Sequence, residues 1–151
     1  MSRRNTMVIT ILIITVGIQF IQPVANKSEK IERSFDTASE VPVPSRVQAI
    51  LEKSCYDCHS NNTKYPWYAK IQPAAWWLAS HIKNAKAELN FSEFSRYSPR
   101  RQRSKLKGIA SSVKDGTMPL RSYTWMHKNA ILTEEDKKLL INWAIHSSES
   151  L

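Results

Sequence analysis

The stretch Cys55-Tyr56-Asp57-Cys58-His59 decides how the rest of this 151-residue chain is read. It holds both cysteines of the chain, three positions apart, with a histidine directly after the second. Two thiols one helical turn apart can each add to a vinyl group of a single porphyrin, and the adjacent imidazole is then held under the iron. The spacing points to covalent haem attachment through Cys55 and Cys58, with His59 as the proximal iron ligand. Rival chemistries explain less. A redox dithiol opens a helix beside a βαβ sheet, and it leaves His59 without a role. A structural zinc site needs two more ligands, and His81, His127 and His146 show no paired spacing.

Outward from the motif, the periodicity is helical throughout. Ser45 is expected to cap a helix through Ser54, with Val47, Ile50 and Leu51 on one face. Residues 60–73 read as a Pro-punctuated loop and residues 74–89 as a helix carrying Trp77, Leu78, His81, Ile82 and Ala85. A further helix spans residues 99–114, with Leu106, Ile109, Ala110 and Val113 as its stripe and Gly116 suited to the turn after it. Residues 117–130 read as loop. Thr133 caps a last helix whose first turn is acidic and whose buried face is Leu139, Leu140 and Trp143, ending near His146. No β-alternation and no repeat interrupts the pattern. The fold class is all-α.

The start of the chain differs in character. Arg3 and Arg4 precede an apolar run over residues 7–21, the pattern of a secretory signal. Pro23 lies where a cleavage site wants a small residue, which favours an uncleaved transmembrane anchor over a removed signal; residues 7–25 approach the ~20 positions a spanning helix needs. By the positive-inside rule the rest lies outside the cytoplasmic membrane, a haem domain on the periplasmic side of the inner membrane. The expected organisation is a signal segment over 1–25, an extended linker over 26–44, the haem domain over 45–147 and a polar tail over 148–151.

Two kinds of residue could close the other face of the iron. Met118, in Gly116-Thr117-Met118-Pro119 just after a helix, is the first choice, because a turn there can aim a thioether inward. His81, on the apolar face of the middle helix, is the alternative, and His127 is a third candidate. Sulfur opposite imidazole stabilises ferrous iron and suits an electron carrier. Either Pro66 or Pro73 could present a carbonyl to the second ring nitrogen of His59.

The order C-x-x-C-H followed by Met118-Pro119 and a capped helix is similar to a class I cytochrome c. More narrowly, Cys55 to Asn61, Tyr65-Pro66-Trp67-Tyr68, Leu89-Asn90-Phe91-Ser92-Glu93 and Met118-Pro119 resemble the haem-binding domain family of exported bacterial proteins. The resemblance spans residues 47–143 and implies a covalently bound haem in a cytochrome c-like helical fold. It implies Cys55 and Cys58 as attachment residues, His59 as proximal ligand and Met118 as distal ligand, with His81 and His127 similar to histidines that recur in the family.

Composition narrows the partners. Nine of the fourteen aromatics fall in residues 56–97, a density that fits the walls of a haem crevice. The formal charge is +9, of which +8 falls on residues 45–151. Arg96, Arg100, Arg101, Arg103, Lys105 and Lys107 form a run with no acid among them. Such a run is a solvated helix face or a docking patch for an acidic redox partner protein. Nucleic-acid binding is disfavoured, since no reading motif accompanies the charge. No general acid–base pair or nucleophile arrangement is evident. The expected function is a mono-haem electron carrier tethered to the membrane, with a haem-based sensor or a peroxidase-type enzyme as alternatives.

Overall fold

The computed structural model describes residues 2–28 and 41–151. Every regular element among them is helical. The α-helices are α1 (Arg3–Ile18), α2 (Ser45–Ser54), α3 (Tyr56–His59), α4 (Ala74–Glu88), α5 (Pro99–Lys114), α6 (Arg121–Met126) and α7 (Glu134–Glu149). Three 3₁₀ turns, Trp67–Lys70, Phe91–Arg96 and Lys128–Ala130, join them.

Local signals set the two longest helices of the domain. Pro99 occupies the first turn of α5, where its missing N–H costs nothing and its fixed φ fits the helix. Gly116, at φ +66°, turns the chain after α5 in a conformation glycine adopts at low cost. Thr133 opens α7 with a reciprocal capping box, its hydroxyl accepting from the Asp136 N–H while the Asp136 carboxylate accepts from the Thr133 N–H. α5 and α7 form the most extensive helix pair. Between them and α2 lies the main core, in which Val47, Leu51, Phe94, Leu106, Leu140 and Ala144 are fully buried. A smaller cluster of Ala69, Leu78 and Ile82 sits under the loop that follows α3, with Cys58, Tyr65 and Tyr68 against it.

Several expectations are corrected. Ser45 does not cap α2; the helix starts from Pro44 with no side-chain cap, and Pro44 O takes the Gln48 N–H. The segment expected to be a loop at 117–130 contains α6, held by Tyr123, whose hydroxyl donates to Asp57 Oδ2 at 2.8 Å and whose ring stacks on His127 at 4.2 Å. α7 runs past His146 to Glu149 because Ser147 and Ser148 are buried, and Ser148 O accepts from Arg103 Nε.

The largest correction concerns the start of the chain. α1 has 16 residues, a rise of roughly 24 Å at 1.5 Å per residue, short of the ~30 Å hydrocarbon layer. Among the described residues no helix is long and apolar enough to cross a membrane. The helix stops because the chain is drawn onto the domain. Gln72 N donates to Gln19 Oε1 at 2.9 Å, and Gln72 Nε2 and Trp76 Nε1 both donate to Ile21 O. Asn26 is bonded at every polar group: its N–H to Tyr65 Oη, its amide to Ser60 O and Thr63 Oγ1, its Oδ1 from Lys86 Nζ, and its carbonyl from Thr63 N. At the other flank Val41 joins the core and Trp143 Nε1 donates to Pro42 O. Both ends of the expected linker 26–44 are therefore part of the folded unit, and residues 29–40 lie outside the described residues.

Asn26→Ala should lower the unfolding free energy by about 1–3 kcal/mol, because Lys86, Ser60 and Thr63 lose partners in a partly buried place; urea denaturation measures it. An unchanged midpoint would show that this strap is not part of the cooperative unit. Lys53 and the Thr133 N–H and hydroxyl hold the Asp136 carboxyl below its usual value of 3.8. Its contribution is present above that value and is lost as the pH falls through the lower native one. Asp136→Asn should therefore reduce stability at neutral pH and flatten its acid decline below about pH 4, measured as unfolding midpoint against pH.

Candidate cofactor site

The site grows from the break between α2 and α3. Cys55, at φ −128° and ψ −43°, leaves the helical conformation for one residue. Its carbonyl then starts the next turn by accepting from Cys58 N and His59 N at 3.2 and 2.9 Å. That single turn places His59 above Cys55, so both side chains enter one cleft. Ser54, Cys55, His59, Glu88, Leu89 and Phe91 line it together with the α5 residues Lys105, Gly108, Ile109, Ser112 and Val113. Met118 completes the rim, brought back by Thr117 N and Met118 N donating to Ser112 O after the Gly116 turn. The cleft has a cavity volume of about 260 Å³, just under the ~300–1,000 Å³ of small-molecule sites, and is open at its mouth.

His59 is oriented by a backbone carbonyl. Nδ1 lies 3.0 Å from Leu89 O. A carbonyl only accepts, so Nδ1 carries the proton and Nε2 the lone pair. Leu89 can offer this carbonyl because it leaves α4 in an extended conformation, φ −147° and ψ 123°. The expected donors of that carbonyl, Pro66 and Pro73, are replaced by Leu89: the chain reverses at the end of α4, and it is there that α3 packs. Burial lowers the basicity of the imidazole, while the Leu89 and Ala85 carbonyls oppose the shift. Phe91 sets its ring edge against His59 at 6.3 Å.

The two motifs that the sequence resemblance rests on are laced side by side. His59 meets Leu89, Asn90 Nδ2 donates to Asn61 Oδ1 at 2.8 Å, Asn61 N donates to Ser92 Oγ, and Asn61 Nδ2 donates to Glu93 Oε1. Residues 59–61 and 89–93 thus form one polar seam behind the cleft.

Both cysteines are unpaired thiols. Burial, then the neighbouring Cys58, pushes Cys55 up to about 12; burial, then Asp57, pushes Cys58 up to about 11. A redox dithiol needs the opposite, a lowered thiol pKa. Cys58 does not line the cleft with Cys55; it packs with Tyr65 and Tyr68 on the smaller cluster. His81 is also elsewhere: Nδ1 donates to Trp77 O at 2.9 Å and its ring lies 4.1 Å from Trp77. His127 likewise donates Nδ1–H to Tyr123 O, beside α6. Of the distal candidates, Met118 is the one that shares the cleft with His59.

The aromatic expectation is corrected in part. Phe91 lines the cleft, but Tyr56 and Phe94 belong to the main core, and Trp67 and Trp77 are exposed. The residues that α5 contributes to the lining include no aromatic. Sequence reasoning missed Leu89, whose role is carried by its main chain and leaves no mark in residue type. It also missed the Asp57–Tyr123 bond, although an acid inside the motif was a visible signal.

An imidazole with Nε2 as its lone-pair nitrogen, a neighbouring thiol, a thioether lining the same cleft and mostly apolar lining form a donor set that suits an iron porphyrin. The fold and cleft thus define an all-helical cofactor-binding domain. The family model of the haem-binding domain matches residues 13–146, and the chain belongs to that family. The match begins within α1 and includes the strap of residues 19–28, in keeping with their bonds to the domain. Searches of curated proteins and of solved structures give no significant match.

In protein produced without haem, both thiols should alkylate with iodoacetamide at pH 8 on the order of 100-fold more slowly than in the urea-unfolded chain, since little thiolate is present at native pKa values this high. Equal rates would show that the native fold does not suppress the thiolates.

Proposed function

We propose that this haem-binding domain carries its haem covalently through Cys55 and Cys58 and transfers single electrons. The observation that supports it is the placement of His59: Nδ1 is committed to Leu89 O while its ring lines the cleft that Cys55 and Met118 also line. When bound, the haem supplies a one-electron couple at its iron.

The chain's own residues do the rest. Leu89 fixes the tautomer and plane of His59, and burial keeps the imidazole neutral, so that its lone pair is available. Met118, which lines the same cleft, would supply a soft sulfur ligand, and its pairing with imidazole would favour the reduced metal and raise the potential. Phe91, Ile109 and Val113 give the cleft an apolar lining for the ring. Arg100, Arg101, Arg103 and Lys107 are exposed along α5, whose inner edge is the cleft wall, so an acidic redox partner docking there comes close to the cofactor. We place the domain on the extracytoplasmic side, following the Arg3-Arg4 start and apolar run, with the exposed apolar surface of α1 holding it at the membrane.

Extraction of the denatured protein with acidified acetone should leave the red colour on the polypeptide, and Cys55→Ala and Cys58→Ala should each weaken its retention. The ferric protein should be low-spin with the near-red methionine–iron band. Met118→Ala should convert it to high-spin and lower the potential, and His81→Ala should leave the spectrum unchanged. The converse pair of results would move the distal role to His81. Ready binding of carbon monoxide by the unaltered protein would favour a sensor over a carrier.

A further inference from the structure

The helix α5 turns one stripe toward the cleft: Lys105, Gly108, Ile109, Ser112 and Val113. These positions stand at helical spacing along roughly 12 Å of axis. Gly108 in the middle of the stripe is unexplained by the fold. Mid-helix glycine is costly, because it loses the most backbone freedom on folding. The only positive-φ glycine among the described residues is Gly116, so Gly108 is not there for an unusual backbone conformation. A Cβ placed on it would meet no atom within 4 Å, so no neighbouring side chain demands the gap either. What the missing side chain does is bare the backbone of α5 to the cleft, as a flat ligand in close contact requires.

Lys105 stands one turn before it. It is the one cation that lines the cleft, and its side chain is only 24% exposed. Its partner is Glu88 at 3.2 Å, whose side chain is 81% exposed. An ion pair to a carboxylate so open to water is weak. A carboxylate inside the cleft can replace Glu88 at little cost.

We infer that the α5 stripe is the seat of the porphyrin: Gly108 admits the ring plane against the helix backbone, and Lys105 leaves Glu88 to bind a propionate carboxylate. This rests on the haem reading above and adds an orientation to it. On that placement a carboxylate of the ring would meet Lys105, at the end of the α5 stripe away from Met118 in the chain.

The test uses the full-length protein matured with haem. Gly108→Ala should lower the urea midpoint of the holoprotein or its haem content per chain, against the gain in helix propensity that alanine brings. Ser104→Ala, on the exposed face of the same helix, should raise the midpoint slightly with full haem content. If Gly108→Ala also raises the midpoint with an unchanged spectrum, the ring does not sit on α5. Lys105→Gln should lower the reduction potential and strengthen its dependence on pH, whereas Lys114→Gln, exposed on the same helix and outside the cleft, should do neither. Equal effects from the two lysines would overturn the propionate pairing. Solvent extraction of the unaltered protein judges the haem reading by itself: colour retained there, with a failed glycine or lysine result, sinks this inference alone.

Discussion

The hydrogen bond from His59 Nδ1 to the Leu89 carbonyl is the constraint on which the rest of the site depends. It requires α4 to end at Glu88, since a Leu89 still in the helix would direct its carbonyl along the helix axis. It also requires α3 to lie against the end of α4, a contact that the Asn61 network to Asn90, Ser92 and Glu93 extends. One bond thus fixes a tautomer, a ring plane and the junction of two chain segments thirty residues apart.

The α5 wall of the cleft owes its rigidity to being shared. Leu106 and Ala110 belong to the main core, Gly108 and Ser112 border the cleft, and Ile109 and Val113 take part in both. Leu106 is fully buried. A core packed at crystal-like density resists displacement, so the cleft wall inherits the stiffness of the helix pair behind it. The Gly116 turn adds the rim, because its positive φ folds Thr117 and Met118 back onto Ser112.

What could be read from sequence was what local chemistry specifies. The bounds of α5 follow from Pro99 and from the turn residue Gly116, and the start of α7 from Thr133 and Asp136. The five-residue motif and Met118 were visible, because side-chain identity carries their chemistry. The carbonyl that orients His59 was not, since every residue has a carbonyl and only tertiary approach selects Leu89. α6 was hidden for a different reason: a short Ser-Tyr-Thr-Trp-bearing segment with no side-chain cap has weak helical preference and is held by Asp57 and His127 from outside. Gln19 breaks the apolar run and Gln22 and Asn26 follow it, yet all three stitch the chain to residues 60–76.

That stitching has a mechanical result. An extended chain would leave α1 and the cleft to tumble independently, as beads on a string do. Here the helix is clamped by Gln72, Trp76 and Asn26 within a few residues of its last turn, so its axis and the cleft mouth share one frame. Any surface that grips α1 therefore also sets the compass bearing of the cleft, and decides which way the basic edge of α5 faces.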